Sequence, residues 1–261
     1  MNVKNAECAG CGRRIVPQAR EPVVRTLTRL LSSRTRYPVM YRLVSDLALC
    51  SGCLERLPVI GEAICEQCGR ELDKASPAEA VCRDCRKITA EPLHSNRSLL
   101  RYNAWGKDLL SLYKYRGEER LSALFARLLL IALYRYHGQT SFDCITTVPL
   151  HTQRLEERGF NQVDLLALHL SCALQIPVRP LLARTRNTAK LSRQSGRASR
   201  EESMEGAFSW SGERMGTSMA GARILLIDDI YTTGSTLRSC ARTIAAHAGQ
   251  DCSIYSLTIY R

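Results

Sequence analysis

The sequence predicts a parallel, doubly wound α/β domain preceded by a small cysteine-rich module that binds zinc. Three observations carry that prediction. Ile224, Leu225, Leu226 and Ile227 form an unbroken aliphatic run bounded by polar residues, the mark of a strand buried on both faces of a parallel sheet. Strand-like and helix-like patterns alternate over residues 98–261, as parallel strands joined by helical crossovers require. Four Cys-x-x-Cys pairs fall within residues 1–97. The expected division is therefore 1–97 for the cysteine module and 98–261 for the α/β domain.

The module comes first in the chain. Its pairs are Cys8/Cys11, Cys50/Cys53, Cys65/Cys68 and Cys82/Cys85. A two-residue spacer lets both thiolates face one ion, and two such knuckles complete a tetrahedral four-sulfur site. Eight cysteines thus imply two structural zinc ions, closed to substrate. Sequential sharing puts Cys8, Cys11, Cys50 and Cys53 on one ion and Cys65, Cys68, Cys82 and Cys85 on the other; interleaved sharing satisfies the same spacing. Gly12 and Gly69 follow knuckles directly and Gly52 lies inside one, where tight turns need a residue without Cβ. Disulfides would need an oxidising compartment, and a redox dithiol would need one pair rather than four.

Between the first two pairs lies an insert. A helix is expected from Pro22, with Val23, Val24, Leu27, Leu30 and Leu31 on one face and Arg25, Arg29 and Arg36 on the other,. The basic face suits either solvent or a nucleic-acid backbone.

Arg86 to Arg97, polar and holding Pro92, reads as a connector. Residues 105–136 read as helical, with Gly117 ending a first helix as its C′ residue. Cys144 to Val148 is a strand stopped by Pro149. Asn161 caps a helix that carries Leu165, Leu166 and Leu170,. Pro177 to Pro180 introduces a basic stretch. The central strand follows, then a helix with Leu237, Cys240, Ala241, Ile244 and Ala245 on one face, ending near Gly249. Ser253 to Ile259 is the last strand.

The central strand ends in Asp228 and Asp229 and runs through Ile230 into Tyr231, Thr232, Thr233, Gly234, Ser235 and Thr236 before the helix begins. Backbone N–H groups at a helix start are unpaired and favour an anion, and Gly234 lets the chain approach it closely. Two carboxylates beside an anion cradle suit a sugar phosphate, whose vicinal hydroxyls they accept while the phosphate sits on the turn. An ordinary capped turn would need only one such residue. No Gly-x-x-x-x-Gly-Lys is present, so this is not a Walker loop. Arg154 and Arg158, one helical turn apart in the loop after Pro149, can reach one anion together or pair with Glu156 and Glu157.

Ile227 to Thr236 resembles the phosphoribosyl pyrophosphate (PRPP) motif of type I phosphoribosyltransferases. With Val148-Pro149-Leu150, Arg154, Arg158-Gly159-Phe160-Asn161-Gln162, Lys114-Tyr115 and the leading cysteine pairs, nearly the whole chain is similar to the ComF family. That resemblance implies a double zinc ribbon joined to a type I phosphoribosyltransferase-like domain. It further implies that Asp228, Asp229 and Tyr231 to Thr236 hold PRPP with Mg2+. Arg154, Arg158, Arg184, Arg186 and Arg200 would then serve the pyrophosphate and a flap closing over it. The basic stretch also contains Lys190, Arg193 and Arg197 among small residues, a composition expected to be mobile. One segment departs from the family pattern: Ser203 stands where Asn is usual, and no Gln aligns without a gap, Gln194 being nearest.

A net charge of +12 favours polyanionic partners. The start, Met-Asn-Val-Lys-Asn-Ala-Glu, has no apolar core, and the longest apolar run, Leu128–Tyr134, falls short of the roughly 20 residues that span a bilayer. A cytoplasmic protein without membrane insertion is expected. Two kinds of function stay open. The chain either transfers phosphoribosyl groups to an unspecified acceptor or binds PRPP while holding single-stranded DNA. The resemblance implies natural transformation and a helicase-like partner for the latter. A PRPP-sensing regulator is a third, without a helix-turn-helix to support it. Aromatic residues are 6% of the chain, so extensive base stacking is not expected.

Overall fold

The computed structural model describes residues 7–32, 36–72, 80–88, 91–116, 119–138, 140–186, 204, 206–211, 219–248 and 251–261. The cysteine module contributes three helices: α1 (Pro17–Leu31), α2 (Tyr37–Ser45) and the short α3 (Ser51–Glu55). Then follow β1 (Leu93–Leu100), α4 (Ala104–Arg116), α5 (Glu119–His137), β2 (Cys144–Thr147), α6 (Thr152–Arg158) and α7 (Gln162–Leu174). The chain closes with β3 (Leu182–Arg184), β4 (Phe208–Trp210), β5 (Arg223–Ile230), α8 (Ser235–Ala248) and β6 (Ser253–Tyr260).

Four strands form one parallel sheet in the order β1-β6-β5-β2. The register pairs Thr147 with Ile227 on one side of β5 and Asp228 with Thr258 on the other. The aliphatic run is thus central, flanked by strands and buried from Ile224 to Ile227. Alternation along β5 divides its side chains between two faces. Leu225 and Ile227 join a core with α5, α7 and the insert helices, whereas Ile224 and Leu226 pack with α8 and the β3–β4 hairpin. This is the doubly wound arrangement expected. It aims Asp228 and Asp229 to opposite sides at the carboxyl end of the sheet.

Several expectations need correction. Residues 93–100 are a strand and not part of a connector, so the boundary expected at 97/98 falls within β1. The polar sequence of β1 has a physical cause. Asn96, Ser98, Ser256 and Thr258 are fully buried beneath a zinc knuckle rather than a helix, and they satisfy one another. Ser98 Oγ lies 2.6 Å from Thr258 Oγ1, Ser256 Oγ donates to Asn96 Oδ1 at 2.9 Å, and Asn96 Nδ2 donates to Ser98 Oγ at 3.1 Å. The zinc module also bonds along the flank of β1, through Asn96 N to Gln67 O and Ile60 N to Leu99 O.

Helix α1 begins at Pro17, not Pro22, which lies inside it. The earlier start is fixed by Arg20, whose buried guanidinium donates to Ser45 O and Leu47 O at 3.1 and 2.7 Å. Val24, Leu27 and Leu31 are buried as expected, but Leu30 is exposed. The short strands β3 and β4, which no sequence pattern announces, form an antiparallel hairpin lying on α8, with the Trp210 ring stacked on His247 at 5.7 Å. Gly117 and Gly249 lie outside the described residues.

Candidate functional site

The eight module cysteines gather into two groups, Cys8/Cys11/Cys50/Cys53 and Cys65/Cys68/Cys82/Cys85, each with its sulfur atoms within 4.8 Å of one another. Sharing is sequential. Cys11 Sγ and Cys50 Sγ stand 3.7 Å apart, and Cys68 Sγ and Cys82 Sγ 3.8 Å. Four sulfurs bound to zinc at about 2.3 Å in a tetrahedron would stand about 3.8 Å from each other, so both groups fit a structural zinc ion. Backbone donors complete the knuckles, with Cys50 N donating to Cys8 Sγ at 3.2 Å and Cys82 N to Cys65 Sγ at 3.3 Å. Gly69, at φ +67°, meets a steric demand, since a Cβ there would lie 2.7 Å from Asn96 O. Gly52 differs from expectation: it sits within α3 facing open space.

The loop from Asp228 to Thr236 lies where β5 leaves the sheet and α8 begins. Among the described residues, no group accepts from the N–H groups of Thr232 to Thr236; the first amide of this turn to be paired is Arg238 N, on Gly234 O at 2.9 Å. The Thr233 and Ser235 hydroxyls meet at 3.0 Å. Gly234 has φ +80°, and a Cβ on it would lie 2.1 Å from Tyr231 Oη. Tyr231 itself is buried behind the loop, its ring under the Arg261 guanidinium at 4.7 Å.

Each carboxylate has its own partners. Asp229, on the α4 side, is ion-paired with Lys114. Burial lowers the affinity of Lys114 for its proton, yet Asp229 and then Asp228 outweigh it and hold the ammonium above its usual range. Asp228, on the α8 side, accepts from Asp229 N at 2.8 Å. Burial and the neighbouring Asp229 charge push its carboxyl up to about 7. A diol laid across the end of the strand would thus meet two unlike acids, one with a resident cation and one ready to hold a proton.

Basic groups from two further elements, α6 and β3, approach these acids. Arg154 and Arg158 stand on α6, which Gly159 ends in the left-handed conformation and His151 caps through Nδ1. Arg154 leans on Glu157 at 3.7 Å. Arg158 donates Nη1 to Gln162 Oε1 at 2.9 Å and lies 5.6 Å from the Tyr115 ring centroid, while its buried Nε–H has no partner among the described residues. Arg184, on β3, stands over Phe208 at 5.4 Å and donates to Arg186 O at 3.3 Å. Arg186 is exposed. Arg200 lies outside the described residues, as do Lys190, Arg193 and Arg197. On the insert, Arg25 is engaged by Glu21 at 2.6 Å and Arg36 donates to Tyr134 O at 2.8 Å, so two of the three arginines expected to face a nucleic acid are held within the chain.

Three site residues were not assigned roles from the sequence. Lys114 did carry a signal, following buried Leu110 by one helical turn, so that a cation stands on an apolar face. Arg238, between Leu237 and Cys240 on the buried side of α8, donates to Thr233 O at 3.0 Å. Arg261 gave none; it reaches from the end of β6 to Thr232 O at 2.9 Å and Cys68 O at 3.0 Å.

Residues 42–86 match the double zinc ribbon domain family. That span excludes Cys8 and Cys11, which the fold returns to the first site across the α1–α2 insert. Competence protein ComFC of Bacillus subtilis is 32% identical over 235 residues, covering 88% of this chain and 91% of that protein. Competence protein ComFC of Streptococcus pneumoniae is 30% identical over 222 residues, 81% of this chain and 88% of its own. DNA utilization protein YhgH of Escherichia coli K12 is 27% identical over 215 residues, 80% and 89% respectively. No helix among the described residues is long and apolar enough to cross a membrane.

Proposed function

The chain belongs to the ComF family, and from that premise we propose that it binds PRPP with Mg2+ and holds single-stranded DNA during uptake for natural transformation. One observation carries the ligand half of this reading. Five consecutive backbone N–H groups, Thr232 to Thr236, stand without acceptors among the described residues at the start of α8, two residues beyond the paired aspartates. Such a turn favours a phosphate, and the acids favour the hydroxyls of the attached sugar. Mg2+ would add charge next to Asp228, whose raised proton affinity it would oppose,. The DNA half rests on relatives named as competence and DNA utilization proteins and on the net charge of +12.

Calorimetric titration with PRPP and Mg2+ tests the first half. Saturable binding that disappears in the Asp228→Ala/Asp229→Ala double variant is the expected result, and no heat with the intact chain would remove the reading. Binding to a labelled oligonucleotide tests the second. Counterion release makes affinity for a single strand fall steeply with salt, so a salt-insensitive signal would count against a backbone contact.

A second reading, transfer of the phosphoribosyl group to an acceptor, is favoured by the Nε–H of Arg158, which has no partner among the described residues. With Arg154 and Lys114 it offers positive charge to a departing pyrophosphate, the stabilisation such a transfer needs. Release of pyrophosphate from PRPP, abolished by the same double substitution, would establish turnover.

A further inference from the structure

We propose that Arg261 is a positioning residue through which the second zinc site holds the Asp228–Thr236 loop in its shape. The proposal concerns the loop itself and takes from the preceding reading only that the loop is a ligand site.

The guanidinium spans two structures that otherwise leave a gap. A cavity of about 90 Å³ separates the zinc knuckles from the loop, lined on one side by Cys68 and Cys85 and on the other by Thr232 and Thr233. Arg261 crosses it with its whole fork. Nε donates to Cys68 O at 3.0 Å, Nη2 to Cys68 Sγ at 3.3 Å, and Nη1 to Thr232 O at 2.9 Å. Its Cζ lies over the Tyr231 ring, 4.7 Å from the centroid. The other arginine lining the cavity, Arg70, is paired with Asp84 at 2.8 Å.

The geometry of both ends makes this a link and not a chance contact. Arg261 is anchored through its backbone, Arg261 N donating to Leu100 O at 2.9 Å, and the preceding carbonyl, Tyr260 O, accepts from Tyr231 N at 2.9 Å. Bound to zinc, Cys68 is a fixed thiolate, and a cationic donor to a metal thiolate both orients that ligand and is oriented by it. At the other end Nη1 takes the carbonyl of Thr232. Fixing this carbonyl fixes the peptide plane that carries the Thr233 N–H, the second of the five unpaired donors. Arg238 holds the next carbonyl, Thr233 O, at 3.0 Å. Two arginines therefore set the direction of successive peptide groups, and one of them is referenced to the zinc site. Lysine could not replace Arg261, because one ammonium cannot reach three acceptors on two sides of a gap.

The reading predicts that zinc occupancy and loop order are coupled, and that the coupling passes through this side chain. Hydrogen exchange followed by NMR on the zinc-loaded full chain, without ligand, tests it. The probes are the Tyr231 and Arg238 amides, the hydrogen-bonded N–H groups that flank the loop, with the Ala9 amide of the first zinc site as control. Arg261→Ala should retain two zinc per chain, leave Ala9 unchanged, and speed exchange at Tyr231 and Arg238 by about tenfold, the scale of losing a charged hydrogen bond. Arg261→Lys should fall short of wild-type protection. Cys82→Ser, which removes a zinc ligand that Arg261 does not touch, should speed the same amides, and the double variant should exchange no faster than the faster single variant.

Unchanged exchange in Arg261→Ala would overturn the proposal, and so would effects of the two substitutions that multiply. Should Cys82→Ser fail to fold, the two Arg261 variants still decide the matter. Titration of wild type with ribose 5-phosphate separates the two readings: no binding would end the ligand assignment, while the exchange results would judge the strut independently.

Discussion

Lys114 and Asp229 form an ion pair between α4 and the end of β5, with side chains 23% and 10% exposed. Neither charge has much water to fall back on. Removing one partner leaves the other in a poorly solvated place, which costs more than the pair itself contributes. Lys114→Ala should therefore lower unfolding stability by about 3 kcal/mol. Lys114→Met combined with Asp229→Asn should recover much of that loss. Urea unfolding of the three variants measures both, and equal destabilisation in single and double variants would contradict the pairing.

Asp228 gives the protein a pH dependence of definite sign. Its carboxyl is raised from an ordinary 3.8 to about 7 by burial and the Asp229 charge. Between those values the unfolded chain releases this proton while the folded chain keeps it. The contribution to stability is full below about pH 4 and is lost as pH rises through 7. Asp228→Asn should flatten the stability profile over that window and leave the protein more stable at neutral pH. Thermal unfolding across pH 4 to 8 checks this. Sugar hydroxyls prefer the ionised acid, so affinity for a ribose phosphate should rise over the same range.

Gly234 combines a left-handed backbone with the close approach of Tyr231. Gly234→Ala should cost about 1–3 kcal/mol and abolish ligand binding by shifting the donors. Adding Tyr231→Ala removes both the Oη and the Cζ that would lie 2.1 and 2.3 Å from the new methyl, so the double variant should be less damaged than the two single losses combined. Additive losses in chemical denaturation would separate the backbone strain from the clash.

Metal analysis should return two zinc per chain. Cys11→Ser and Cys82→Ser should each lose one, and chelation of both should unfold the module, since binding energy at such sites is folding energy. A full-length chain that stays folded with no bound metal would contradict a structural role.

Arg158 distinguishes the two ends of the proposed ligand. Arg158→Ala should weaken PRPP binding about tenfold, the scale of one charged hydrogen bond, and leave ribose 5-phosphate little affected. Equal losses for both ligands in calorimetry would move Arg158 away from the pyrophosphate.

What the sequence disclosed follows from where hydropathy and packing agree. The run Ile224–Ile227 was legible because helices cover both its faces. Sequential sharing by Cys8, Cys11, Cys50 and Cys53 stayed open because spacing alone says nothing about which knuckles meet. Strand β1 was illegible because its buried residues, Asn96 and Ser98, are polar, being covered by a zinc knuckle and paired across to Thr258 and Ser256. The hairpin of Leu182–Arg184 and Phe208–Trp210 was too short to show a period. Asp228 and Asp229 read as an equivalent pair in one dimension, yet strand alternation gives them different neighbours and different proton affinities. Arg261 owes its position to the register of β6, which no local pattern announces.

The bonds that the zinc module makes to the flank of β1 have a consequence for the protein outside its ligand chemistry. Asn96 N reaches Gln67 O, Ile60 N reaches Leu99 O, and Arg101 N reaches Pro58 O at 2.7 to 3.0 Å. A strand at the border of a sheet is otherwise a template for any passing chain, and β1 carries few of the charges that discourage such pairing. Here metal-held loops occupy it. Cells starved of zinc would then hold this protein as a species with a bare seam, prone to stick to its own copies.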